Sequence, residues 1–502
     1  MAREGSMHIL IAGGGTAGWM SAAALARFAP PGYRISLVES EAIGTVGVGE
    51  ATIPQIHLFN AALGFDEAEF LAATKGSFKL GIEFDGWGAP DSAYMHAFGA
   101  IGRGMGVVPF HHYWLRAKAE GIAKPLQRYS MNELAARTMR VQPGGMAANG
   151  PELPYAYHFD AGLYAAYLRR YAEARGVIRH EGRIASVGRH GETGDIAALT
   201  LEDGRSLEAD FFIDCTGFRA LLIEGALEAG FEDWTRWLPC DRAIAVPCSS
   251  GGDFTPYTKA IAREAGWQWR IPLQHRIGNG YVYSSAHLSD DEAAATLLAN
   301  LDGKAQADPR PIRFTTGKRK KQWVGNCLAI GLSAGFLEPM ESTSIHLIQS
   351  AISRLLALLP GETRASAAAD HFNAQADFEW SRIRDFLILH YHANGREGQP
   401  FWDALRTMDV PDSLAEKLAL WRGAGHIHRE HEELFTEVGW FQVFAGQGVE
   451  ATRYNQIADS LATDDLGRQL EDIERGCIDH VKRLPRHLEA LQEMLATTGE
   501  AA

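Results

Sequence analysis

The sequence predicts a mixed α/β fold: a nucleotide-binding module of the Rossmann type, an additional sheet region and a mainly helical C-terminal region. Three observations predict it. First, the apolar run 8–12 reads as a buried strand, Gly13, Gly14 and Gly15 make a turn, the alanine-rich stretch 17–27 reads as a helix, and 34–39 is a second strand. Second, residues 235–315 alternate polar and apolar positions, as sheet does. Third, the pattern after Pro339 is helical, with runs at 343–359, 378–394 and 465–495, the last broken at Pro485.

Between these parts the chain offers a glycine-rich loop, 44–54, then a helical stretch near 66–74. Residues 77–84 alternate, with Phe78, Leu80, Ile82 and Phe84 on one face and Ser77, Lys79, Gly81 and Glu83 on the other. Residues 160–174 read as an amphipathic helix. A late strand, 207–214, ends in Cys215-Thr216-Gly217 and is expected to complete the nucleotide module.

With 502 residues the chain can build a large core, and its 46% hydrophobic content matches a folded globular protein. A net charge of -14 disfavours nucleic acid and anionic membrane as partners. The basic run Lys318, Arg319, Lys320, Lys321 is read as a solvated face. Five scattered cysteines, odd in number and without a CxxC pair, argue against a disulfide framework and fit a reducing cytoplasm. No secretory h-region precedes the first strand, and no window reaches the apolar length of a membrane span. His111 and His112 lack zinc spacing, so no metal is expected and both are read as neutral core or surface histidines. A homodimer is the base expectation for such a protein.

The fingerprint Gly13-x-Gly15-x-x-Gly18 has a strand before it and a helix after it. The first glycine permits the turn, the second lets backbone approach a pyrophosphate, and the third lets helix and strand pack. The helix start, with Thr16 and Ala17, offers N–H groups to phosphate. Glu39 closes the second strand, where an acid accepts from ribose hydroxyls. One fingerprint rather than two favours FAD over tightly bound FAD plus NAD.

Five separated segments then resemble the flavin-dependent tryptophan halogenase family. They are GGGTAGW at 13–19, GVGEATIP at 47–54, FKLGIEF at 78–84, GWQWRIP at 266–272 and FLEPMESTSI at 336–345, with further similarity in RDFLILHY at 384–391 and PFWDAL at 400–405. The resemblance implies a reaction. Non-covalent FAD is reduced in trans by a separate NAD(P)H-dependent flavin reductase. Oxygen gives a flavin hydroperoxide, halide attacks it, and hypohalous acid passes through a tunnel to an indole or other electron-rich aromatic.

The resemblance also assigns residues. Lys79 is the essential lysine, and two actions stay open for it: hydrogen bonding to hypohalous acid, or formation of a haloamine. Glu341 orients the hypohalous acid or takes the ring proton, with Glu338 as a nearby competitor. Gly47, Gly49, Glu50, Ala51, Thr52, Ile53 and Pro54 are a mobile strap over the flavin, and Gly331 joins the cofactor site. Thr343 and Ser344 offer backbone N–H groups to halide. The family usually has glycine where this chain has Ser344, and a roomier site favours bromide. Trp267, Trp269, Ile271 and Pro272 keep organic substrate from the flavin. His96 and Phe98 clamp the substrate ring, and Phe435, Trp440 and Phe441 help form its chamber.

Along the chain this gives an FAD module at 7–235 with inserted catalytic-lysine and substrate segments. A sheet region with the flavin and halide return follows at 236–345, and a helical substrate-pocket region at 346–502. The competing readings are an FAD-dependent aromatic hydroxylase and a non-catalytic flavin-binding redox protein.

Overall fold

A computed structural model describes residues 7–43, 49–144, 152–250, 254–359, 361 and 366–498. The chain divides into two compact units, each assembled from three separate stretches. Residues 1–76, 159–241 and 313–380 form the first, and residues 77–158, 242–312 and 381–502 the second. The three consecutive segments read from the sequence divide the chain linearly, whereas compactness interleaves it.

The first unit is built on a six-stranded sheet. His8–Ala12 lies inside it, parallel to both Arg34–Glu39 and Phe211–Asp214. Neighbours on both edges and helices over the sheet explain why Ile9, Leu10 and Ile11 are all apolar and wholly buried. The helix Thr16–Phe28 packs against Ala161–Glu173 and Ser344–Ala357, and its buried residues run from Gly18 to Leu25. The expected single strand at 207–214 is two. Ser206–Glu208 pairs with Ile196–Leu201 in a small antiparallel sheet, and Phe211–Asp214 enters the central sheet. Asp210 separates them, its carboxylate and N–H both bonded to the backbone of His8.

The second unit holds a seven-stranded sheet in the order Arg310–Arg313, Arg242–Ala245, Ile277–Tyr283, Gly266–Pro272, Thr258–Arg263, Gly81–Asp85, Ala93–Ala97. Gly266–Pro272 is buried along its whole length, antiparallel to both neighbours. The alternating stretch at 77–84 is not one strand. It breaks at Leu80 into Ser77–Lys79, which pairs with Ala156–Asp160, and Gly81–Asp85, which joins the large sheet. Leu80 spans the break by donating to Pro256 and accepting from Phe98. The two-faced alternation therefore marks no solvent side, since Phe78 and Lys79 are both wholly buried.

The C-terminal helices match their expected character. Ser366–His392 begins earlier than the apolar pattern suggests, and Pro485 lies between Thr463–Val481 and His487–Ala496. Among the described residues no helix is long and apolar enough to cross a membrane. The basic run at 318–321 is not one solvated face. Lys318 is buried on Glu232 and Asp377, and Arg319 pairs with Glu224, leaving Lys320 and Lys321 exposed.

His111 and His112 sit in the core on the helix Phe110–Ala119. His111 Nε2 meets the Gly425 carbonyl, and His112 Nδ1 accepts from the Asn455 N–H. Burial, then the neighbouring imidazoles, hold His111 down to about 3 and His112 down to about 4. The unfolded chain thus takes up protons near pH 6.5 while the folded chain resists. Their stabilisation is full above that range and is lost as pH falls toward 4 and then 3. Each histidine costs about 1.4 kcal/mol per pH unit in that window. Thermal melts from pH 7 to 4 should show a steep fall in Tm that His112→Gln makes shallower. Parallel curves for the two proteins would contradict this.

Candidate active site

In the first unit the parallel strands His8–Ala12, Phe211–Asp214 and Cys327–Ala329 end side by side, the edge where open α/β sheets receive ligands. Gly13 turns the chain there with φ +110°, and an added Cβ would lie 2.2 Å from the Cys215 carbonyl oxygen. A Cβ on Gly18 would lie 1.9 Å from the Gly13 carbonyl oxygen. Gly15 differs: its backbone is extended and nothing lies within 4 Å of its Cβ position. Two glycines therefore serve packing, and the middle one opens onto a cradle beside the start of the helix Thr16–Phe28. Gly331, at φ +73°, brings its own turn against Ala17, with 2.8 Å between the Gly331 Cβ position and the Ala17 Cβ.

Several supporting groups were not legible in the sequence. Glu39 meets Arg179 at 2.7 Å and Arg169 at 3.6 Å through Oε1, while Oε2 lies on the Gly14 side. Asp214 accepts from the Thr216 N–H and hydroxyl with one oxygen, and from the Leu222 and Ile223 N–H groups with the other. That carboxylate fixes the turn beneath the strand ends. The strap candidates Gly49, Glu50 and Ala51 form a short strand, and Thr52 and Ile53 are buried after it. Gly47 lies outside the described residues. Burial pushes the Glu50 carboxyl up to about 7.

Glu341 ends the one-turn helix Pro339–Glu341 and is 1% exposed; Glu338 is wholly buried. Ser342 then takes the left-handed conformation and Thr343 the right-handed one, before the helix Ser344–Ala357. Such a change of hand turns successive N–H groups toward one concave side, and those of Thr343 and Ser344 precede any intrahelical acceptor. The Thr343 hydroxyl is buried without a hydrogen-bond partner among the described residues. Ser344 is the first residue of that helix. One further device anchors the helix: His346, Ser350 and Arg354 share a face and all donate to Glu379. Burial alone would raise that carboxyl, but the His346 hydrogen bond and the Arg354 charge hold it below its ordinary value.

The second unit carries the lysine and the aromatic groups. Lys79 has no exposed surface, and its Nζ lies 5.3 Å from the Phe98 ring centroid. His96, two residues before Phe98, lies 5.6 Å from Phe386 and 6.0 Å from Phe435 and begins an aromatic wall. Phe386 stacks on Phe435 at 3.8 Å and takes Trp440 edge-on at 4.9 Å. Gly439 admits His96, since a Cβ there would lie 3.0 Å from Nε2. Gln442 pins the helix Glu437–Gly446 to the edge strand by exchanging two hydrogen bonds with Ala97. Phe386 and Gln442 escaped the sequence reading; the apolar RDFLILHY segment was the available signal for the first.

Phe441 is not part of this wall. It points into the cluster of His111, Trp114 and Trp421, as adjacent helical residues diverge by about 100°. Trp267 and Trp269 share a strand face with ring centroids 6.3 Å apart, and Trp269 lies over Gly280, where a Cβ would be 2.0 Å from the indole. Ile271 is buried beyond them, and the Pro272 carbonyl accepts from Ser77.

The tryptophan halogenase family model matches residues 8–463. The chain belongs to the tryptophan halogenase family. It is 34% identical to tryptophan 7-halogenase RebH of Lentzea aerocolonigenes, over 88% of this chain and 89% of that one. Among solved structures it is similar to Xcc4156, a flavin-dependent halogenase from Xanthomonas campestris, with 47% identity, 97% and 98% coverage and a TM-score of 0.95. It is also similar to BrvH, a flavin-dependent halogenase from Brevundimonas sp. BAL3, with 44% identity, 97% and 99% coverage and a TM-score of 0.93. The protein is thus a flavin-dependent halogenase enzyme, of a family that depends on FAD and uses halide as co-substrate.

The first unit fits FAD on its own geometry: an open backbone at Gly15, a helix N-terminus behind it and an acid at Glu39. Two alanine variants separate the glycine roles. Gly15→Ala should fold with a loss of at most about 1 kcal/mol yet bind FAD weakly, as read by quenching of flavin fluorescence. Gly18→Ala should lower Tm markedly, because its methyl meets a backbone carbonyl. Equal behaviour of the two variants in both measurements would refute this division.

Proposed function

We propose that the protein halogenates a neutral indole or a similar electron-rich aromatic, with Lys79 delivering the halogen and Glu341 serving the ring-proton step. The observation that carries this reading is the wholly buried Lys79 amine against the Phe98 ring, two residues along the chain from His96, whose ring meets the aromatic group of Phe386, Phe435 and Trp440. Bound reduced flavin, with oxygen and halide, supplies the hypohalous oxidant. The Lys79 amine donates hydrogen bonds to that acid and makes its halogen more electrophilic. The ring carbon attacks the halogen and the oxygen–halogen bond breaks. The Lys79 ammonium gives the departing oxygen a proton so that it leaves as water, and the displaced ring proton passes to the Glu341 carboxylate. Burial suits both groups, since charge acts more strongly where water is excluded. The Thr343 and Ser344 N–H groups and the Thr343 hydroxyl hold the halide. Trp267, Trp269, Ile271 and Pro272 keep the aromatic substrate away from the flavin. Reduced flavin comes from a separate NAD(P)H-dependent reductase, and the setting is the cytoplasm.

A neutral ring suits the wall better than an amino acid. Lys417, whose Nζ lies over the Trp440 ring, is held by Glu433 and the His428 carbonyl. Arg382, one turn before Phe386, is held by Glu430. Neither cation is left to meet a substrate carboxylate. RebH is a tryptophan 7-halogenase by name, and the indole is the part of that substrate this wall accommodates. Indole should exceed free tryptophan in kcat/KM by roughly tenfold, the effect of one unmatched buried charge contact. A preference for tryptophan would overturn the neutral-substrate reading.

The decisive experiment is mass spectrometry of reactions with FAD, reductase, NADH and oxygen, in separate chloride and bromide arms with catalase present. We expect a halide-dependent mass shift that Lys79→Ala and the size-matched Lys79→Met lose by at least roughly 100-fold while still binding FAD. Wild-type turnover in either variant would remove Lys79 from the mechanism, and an oxygen-only adduct would make the enzyme a hydroxylase. With equal chloride and bromide, brominated product should dominate, because bromide is easier to oxidise; a chlorinated majority would reverse that order.

A further inference from the structure

The strand that carries Lys79 is three residues long, too short for its own ladder to fix a side chain firmly. Its register opposite the neighbouring strand is Ser77 to His158, Phe78 to Tyr157 and Lys79 to Ala156. Ser77 and Lys79 therefore lie on one strand face. The Ser77 hydroxyl donates to the Pro272 carbonyl at 3.0 Å and lies 3.3 Å from His158 Nδ1. His158 Nε2 lies 2.9 Å from the Thr258 hydroxyl.

The direction of every bond follows from proton counting. Serine has one hydroxyl proton, and Pro272 takes it. Toward His158 the Ser77 oxygen is an acceptor, so Nδ1 carries the imidazole proton. Nε2 is then a lone pair, and Thr258 donates to it. Ser77, His158 and Thr258 are all buried, so each lost bond would leave a polar group stranded. Burial, followed by the charges of Lys79, His487 and Arg270, keeps His158 neutral well below the usual histidine range. The lysine thus has a polar but uncharged support beside it.

We propose that Thr258, His158 and Ser77 form a positioning chain that fixes the Lys79 strand against the end of the Gly266–Pro272 strand. The inference rests on Lys79 as the residue that delivers the halogen. It adds three residues that touch no reactant and act through the lysine. The Pro272 carbonyl is the far anchor, so the tryptophan-bearing motif and the lysine share one hydrogen-bonded rail. Misplacing the amine lets oxidant escape before it meets the ring.

The test uses the full-length holoenzyme with its reductase and indole. Variants are Ser77→Ala, Thr258→Val, Thr258→Ser and the double Ser77→Ala/Thr258→Val, with Lys79→Met alongside. Measured quantities are kcat, KM for indole, FAD affinity, Tm, and the share of NADH consumption that appears as halogenated indole rather than as freely trapped hypohalous acid. Ser77→Ala and Thr258→Val should lower kcat roughly 10- to 100-fold, with released hypohalous acid rising. Their KM and FAD affinity should stay within about twofold of wild type. Thr258→Ser keeps the hydroxyl and should restore the wild-type yield. The double variant should be no worse than the poorer single one, because both cut the same chain. Thr258→Val preserves volume, so it decides the matter even if Ser77→Ala melts early. Full coupled yield in Thr258→Val, or a Thr258→Ser enzyme as poor as Thr258→Val, would overturn the chain. If Lys79→Met remains active, the lysine reading itself fails; if only Lys79→Met is inactive, the positioning chain fails alone.

Discussion

A lysine amine without any exposed surface is the constraint around which the second unit is arranged. An ammonium in apolar surroundings is costly unless its neighbours compensate. Here the compensation includes the Phe98 ring face at 5.3 Å, an attraction worth more where water is absent. It also includes a negative requirement, that the His158 imidazole, which feels the Lys79 charge, carry none of its own. The bonds of His158 to Ser77 and Thr258 meet that requirement by satisfying both ring nitrogens in the neutral tautomer.

The aromatic wall follows from the same exclusion of water. Residues from the edge strand Ala93–Ala97, the helix Ser366–His392 and the helix Glu437–Gly446 meet there, the strand drawn from a part of the chain far from both helices. Gln442 explains how an exposed strand edge is avoided: its amide imitates a neighbouring strand and pairs with both backbone groups of Ala97. Gly439 then leaves room for His96 beneath that helix. The first unit answers a different demand. It presents the ends of parallel strands, an open backbone at Gly15 and a change of helical hand at Ser342 and Thr343, all suited to anions.

The nucleotide strand–turn–helix was legible because it is local. Period, glycine spacing and a closing acid lie within about forty residues of one another, so sequence neighbours are also spatial neighbours. The strand at 77–84 shows where that logic stops. Alternation is a proxy for one wet and one dry face, but both faces here are dry, and the break at Leu80 is made by Pro256 and Phe98. The basic run at 318–321 failed as a solvated patch for a similar reason, since Glu232, Asp377 and Glu224 reach it from distant segments. Phe441 follows the aromatic pattern of its neighbours yet turns into another cluster, because one step along a helix changes the face.

The sequence by itself determined the fold class, the glycine turn, the family and the residue types available for halogen chemistry. Those are properties of local spacing and side-chain identity. Tertiary structure alone decided which of those residues are buried, which charges cancel and which hydroxyl donates to which carbonyl. Lys79 and Lys320 are the same residue by composition, yet one is enclosed and the other faces solvent. The physical reason is that solvation and hydrogen-bond direction depend on groups brought together by the fold, and sequence distance carries no measure of that approach.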